Sequence, residues 1–193
     1  MSPCRVTNLV IANNRTAADA AAQEAQRLGY SVTAESATHA EGPAEDVGRR
    51  LVERAMALRG DTPTCLISGG EPVVTLVDAS QRGLGGRNQQ LALAALLRLA
   101  DERAEAVVLL SAGTDGEDGP TDAAGAIVDA GALDAAERRH LDAANSLARN
   151  DAYHFLDSLD ALLKTGPTGT NVCDLRVVVA DGRAGGPPAA RRS

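Results

Sequence analysis

A chain of 193 residues with 44% hydrophobic content suits one sizeable domain, and with only 2% aromatic residues its core must be Ala, Leu and Val. The formal charge of −7 and the lack of aromatic stacking platforms argue against a nucleic-acid partner, and no run approaches the apolar length that spans a bilayer. Cys4, Cys65 and Cys173 are odd in number and far apart, as unpaired thiols of a reducing compartment are, so a cytoplasmic location is expected.

In chain order, the apolar run at residues 8–11 is read as a strand. An Ala-rich helix follows, capped by Asn14 or Thr16 and ended by Gly29, and then a strand at residues 31–34. That order is a βαβ unit, which favours parallel pairing. Residues 44–58 carry Val47, Leu51, Ala55 and Leu58 at helical spacing, and residues 64–68 read as the next strand. Only four residues separate it from the run at 73–77, so an antiparallel pair is expected there. A buried helix begins at Arg87, a strand covers 106–110, and residues 121–128 read as a short helix. Two further helices are expected over 134–150 and 151–163, with a closing strand at 175–180. The expectation is a single α/β domain over residues 1–182, with a mixed, mostly parallel sheet flanked by helices, and a disordered tail at 183–193.

Four stretches carry candidate chemistry. In ISGGE (67–71), Ser68, Gly69, Gly70 and Glu71 follow a strand with unhindered amides that suit an anion, although the pattern alone favours a plain turn joining two strands. In GLGGRNQQ (83–90), Gly85 and Gly86 lead into a helix whose first-turn amides, with Arg87 and Asn88, suit a carboxylate or phosphate; the alternative is an ordinary glycine-rich helix start. Neither a Walker A loop nor a dinucleotide fingerprint is present.

The third stretch, SAGTDGEDGPTDAAGA, puts Asp115, Glu117, Asp118 and Asp122 on one loop after a strand. Such crowding calls for a positive partner, and Mg²⁺ held by Asp115 and Asp118 is the economical candidate. Asp122 reads as a helix cap and Glu117 as a solvated side chain. The fourth, TGPTGTN (165–171), reads as an ordinary loop or as one that offers its amides, Thr168 and Thr170 to phosphate oxygens. Lys164 is the sole lysine, and the three histidines show no zinc-ligand spacing.

Together ISGGE, GLGGRNQQLALAA, SAGTDGEDGPTDAAGAIVD and GPTGTNVCDLRV closely resemble, in that order, the C-terminal or MOFRL domain of class II glycerate 2-kinases, some once described as hydroxypyruvate reductases. Residues 6–60 look like the βα opening of that domain. The resemblance implies transfer of the γ-phosphoryl group of ATP to the 2-hydroxyl of glycerate with Mg²⁺, in a cleft between two α/β domains. It further implies that Arg87 contacts substrate or transferring group and that Asp115 lines the cleft. The family pattern reads SGGET, GGRNQEF and GTNVNDL where this chain has Pro72, Gln90 with Leu91, and Cys173. The family's functionally important lysine lies in an N-terminal domain, supplied in cis or trans, without which this chain is expected to be inactive. Self-association through the face meant for that domain is also expected. The alternatives are a non-catalytic domain binding a small acid or phosphate and, last, a hydroxypyruvate reductase, which the missing dinucleotide fingerprint disfavours.

Overall fold

The computed structural model describes Cys4 and residues 6–181; the tail expected to be disordered lies outside the described residues. The elements are α1 (Asn14–Arg27), β1 (Ser31–Ser36), α2 (Ala44–Leu58), β2 (Thr64–Gly70), α3 (Arg87–Glu102), β3 (Val107–Gly113), β4 (Gly125–Val128), α4 (Ala130–Arg138), α5 (Ala143–Ala148), α6 (Ala152–Asp157), β5 (Leu162–Leu163) and β6 (Asp174–Ala180). They form one α/β domain around a six-stranded mixed sheet in the order β1-β2-β6-β3-β4-β5. The first pair is parallel and every other neighbouring pair antiparallel. This corrects the expected balance. Strands β1, β2, β3 and β5 do share a direction, but β6 runs the other way and inserts between β2 and β3, so parallel hydrogen bonding survives only at one edge.

Strand β6 holds the layers together through its alternation. Leu175, Val177 and Val179 face α1 with Ala18, Ala25, Cys65 and Ile67, while Val178 and Ala180 face the larger core made with α2 and α3. Helix α3 is buried along most of its length, so Leu91 to Leu96 read as an almost continuous apolar run.

Several sequence expectations give way. Residues 8–11 form no strand, and Val6, Leu9, Val10 and Ile11 are exposed. The run at 73–77 makes only one parallel bridge, Val73 to Pro43, because the edge of β2 it was meant to join belongs to β6. Residues 125–128 are strand β4, not helix: a Cβ on Gly125 would press on the Ala112 Cα at 2.8 Å, so glycine permits the close pairing with β3. The helix read over 134–150 breaks at His140, and the one over 151–163 ends at Asp157. His140, Asn150 and Asp160 all have positive φ, and each leads a reverse hydrogen bond that closes a helix: Leu141 to Ala136, Asp151 to Ser146, Ala161 to Leu156.

Candidate functional site

Three cross-strand rows on one face of the sheet lead from the core to the site. Leu66, Val178 and Leu109 form an apolar row; Ser68, Arg176 and Ser111 form the next; Gly70, Asp174 and Gly113 form the last. Polarity thus rises toward the ends of β2 and β3, where every loop with candidate chemistry converges. Arg176 is fully buried, and Glu41 takes both ends of its guanidinium at 2.9 and 3.1 Å, with Nε left unpartnered. Room for this pair explains a glycine: a Cβ on Gly70 would clash with the Glu41 carboxylate and lie 2.8 Å from Arg176 Nη2. Gly69 makes room for Asn14 in the same way. Both glycines lie inside β2, so the turn read at ISGG, plain or anion-binding, is strand backbone paired with β6.

Arg87 opens α3 and points at the last row. Its Nε and Nη2 donate to Asp174 at 2.7 and 3.0 Å, and Nη1 meets Glu71 at 2.9 Å. Asp174 is 1% exposed, whereas the Glu71 side chain is 59% exposed. The hydrogen-bonded Asp174 carboxylate, more than Glu71, raises the Arg87 pKa further above its ordinary range, so this cation is permanent. The backbone carbonyls of Asp174 and Val172 are held by Asn14 Nδ2 at 2.9 Å each, and Asn14 Oδ1 accepts from Ser36. Asn14 is therefore a strut between layers, and the cap of α1 is Asn13 with Thr16.

Two first-turn amides of α3 are already engaged. Asp118 accepts from the backbone N–H of Asn88 at 3.0 Å and of Gln89 at 2.8 Å, and from Asn88 Nδ2 at 3.2 Å. Asn88 Oδ1 in turn accepts from Ser111 at 2.6 Å, locking helix, loop and strand together. Gly86 is the N-cap residue, and any side chain there would strike the Asp118 carboxylate. The helix terminus read as a place for a substrate anion thus holds an internal one, and a cation there would have to share a carboxylate that three donors already hold. Burial pushes the Asp118 carboxyl up to about 6 against the opposing pull of those amides.

Asp115 keeps a more open position. Its oxygens accept from Asn171 Nδ2 at 2.8 Å and the Glu117 N–H at 3.2 Å. Its carbonyl accepts from the Thr168 N–H at 2.9 Å, which ties the fourth motif to the third. The Thr168 hydroxyl is taken by the Thr114 and Thr170 carbonyls. Gly113, two residues before Asp115, pairs with Asp174, so Arg87 and Asp115 stand at the same end of the sheet. Asp122 caps no helix; it accepts from Tyr153 at 2.7 Å and pairs with Lys164 at 3.2 Å, while Glu117 is exposed. Gly85 packs beside α6. Among the described residues no three His, Cys, Asp or Glu side chains gather as a metal cage, and no helix is long and apolar enough to cross a membrane. Sequence spacing points to no role for Asp174, Arg176 or Glu41 and reads Asn14 only as a helix cap; an arginine inside LRVVVA is the one visible signal.

Against known proteins, the glycerate 2-kinase of Pyrococcus horikoshii is 37% identical over 185 residues, 93% of this chain and 41% of that protein. The D-glycerate 2-kinase of Thermotoga maritima is 52% identical over 113 residues, 58% of this chain and 26% of that protein. A crystal structure of glycerate kinase from Thermotoga maritima superposes with a TM-score of 0.78 at 40% identity, covering 87% of this chain and 40% of that one. A crystal structure from Pyrococcus horikoshii gives 0.81 at 34% identity, covering 92% and 41%. The chain therefore spans about two fifths or less of the relatives named here. Residues 64–174, which contain both Arg87 with its carboxylates and the aspartate loop, match the MOFRL family, and the chain belongs to that family.

Proposed function

We propose that this chain forms one wall of the active site of an ATP- and Mg²⁺-dependent, cytoplasmic glycerate 2-kinase that transfers the γ-phosphoryl group of ATP to the 2-hydroxyl of glycerate. The observation that carries the reading is the Arg87 guanidinium, fixed by buried Asp174 at the sheet end that also bears Asp115. The kinase names of the relatives support it. Phosphoryl transfer needs positioning and charge neutralisation more than covalent chemistry, and a rigid, permanently charged fork supplies both. Arg87 holds the glycerate carboxylate or the moving phosphoryl group; the Asn88 and Gln89 amides of α3 do not, because Asp118 occupies them.

Magnesium in such reactions takes one or two protein carboxylates and completes its shell with phosphates and water. Asp115 fits that modest demand; Asp118 is the poorer ligand, for the reason given above. When bound, the ion would offset phosphate charge. The lysine implied by the family resemblance, and turnover itself, are assigned to an N-terminal domain acting in cis or trans.

The test combines the full chain with the portion of the Pyrococcus horikoshii relative that it does not match, then measures glycerate-dependent ADP release. Expected are 2-phosphoglycerate, identified by phosphorus NMR, and a loss of about 100-fold or more in Arg87→Ala. Normal turnover in that variant, or phosphate on another carbon, overturns the assignment.

A further inference from the structure

The two carboxylates on Arg87 differ in kind. Asp174 is buried, binds Nε and Nη2 in a fork, and has its own backbone strapped by Asn14. Glu71 follows the end of β2, has a side chain 59% exposed, and reaches only Nη1, at 2.9 Å. Its other oxygen has a weak contact, 3.8 Å from Cys173 Sγ. An exposed ion pair contributes little net stability, whereas a buried fork fixes geometry, and breaking it leaves a charge stranded. Nature and placement therefore divide the guanidinium into a permanent edge and an exchangeable one.

We propose that Glu71 is a displaceable placeholder: the carboxylate or phosphate of an incoming small acid takes its place on Nη1 of Arg87, while Asp174 holds the other edge still. This rests on the reading of Arg87 as the anion-binding residue. No bond is made or broken. One anion replaces another on a single cation, and Glu71 turns into water, where its exposure lets it be solvated without large cost. Arg87 with Asp174 and Glu71 carries net charge −1, and Asp118 adds to the negative field; departure of Glu71 removes one negative charge and lowers repulsion toward the incoming acid.

The experiment follows the Arg87 side-chain N–H resonance in the arginine-labelled full chain during titration with inorganic phosphate and, separately, D-glycerate at constant ionic strength. Arg87→Lys identifies the resonance. Glu71→Gln should tighten both ligands about two- to five-fold, and Glu71→Ala, which offers no hydrogen bond, should do so at least as strongly. Thermal melts confirm that both variants fold. Arg87-dependent binding that is unchanged or weaker in both variants overturns the placeholder and leaves the Arg87 reading standing. No Arg87-dependent response in any form of the chain overturns both.

Discussion

Buried charge at single residues sets the pH behaviour and the cost of mutating the site. Asp118 has a carboxyl raised from an ordinary 3.8 to about 6, with desolvation the largest cause. The folded chain therefore holds this proton more tightly than the unfolded chain. Its contribution to stability is fully present below about pH 4 and falls as pH rises toward 6, by on the order of 3 kcal/mol. Urea denaturation of the wild type and Asp118→Asn between pH 4 and 7 isolates the effect; the variant should gain on the wild type as pH rises. Arg87 presents the converse case. Arg87→Ala strands the buried Asp174 carboxylate, so it should cost about 3 kcal/mol of stability besides activity, whereas Glu71→Ala should cost under about 1 kcal/mol. Paired thermal melts check both, and equal losses would show that Asp174 and Glu71 are not the distinct partners their exposure indicates. None of this was legible from residue spacing, because Asp174 and Glu71 meet Arg87 across long sequence separations.

Among the elements, α2 and α3 make the most extensive contact, and it hinges on Gly48. A Cβ there would clash with the Leu91 carbonyl oxygen and sit 3.2 Å from its carbonyl carbon, all backbone atoms that cannot rotate aside. Alanine normally gains about 1 kcal/mol over glycine within a helix. Overpacking against rigid backbone costs about 1–3 kcal/mol, so the clash should win and Gly48→Ala should lower the melting temperature. An unchanged or raised value would mean that the helices separate easily. Helix interiors were readable from apolar spacing, as Val47, Leu51 and Ala55 of α2 demonstrate. Helix ends were less so, since His140, Asn150 and Asp160 take the left-handed position that glycine usually announces. Strand partners were the least readable: the run at 73–77 has strand composition, but the edge of β2 it was read to join is taken by β6.

On the scale of the whole molecule, the stretch around Val6, Leu9, Val10 and Ile11 leaves side chains 74% to 89% exposed, and no hydrogen bond of the described residues engages residues 6–12. Exposed apolar side chains favour association, so sedimentation should show concentration-dependent self-association of the chain, reduced when Leu9 and Ile11 are changed to serine. A monomer at every concentration would contradict this. From its own letters the chain determined an α/β domain, the interiors of α1, α2 and α3, the strands at the centre of the sheet and the four motif stretches, one of them the end of β2, that lie at one end of it. Those features follow from local periodicity and turn chemistry, which act over a few residues. Only the tertiary structure decided that β6 enters between β2 and β3, that Asp118 fills the terminus of α3, and that Asp174 fixes Arg87. Each of these is a choice of partner made across distant parts of the chain by competition for buried hydrogen bonds, and no local pattern encodes its outcome.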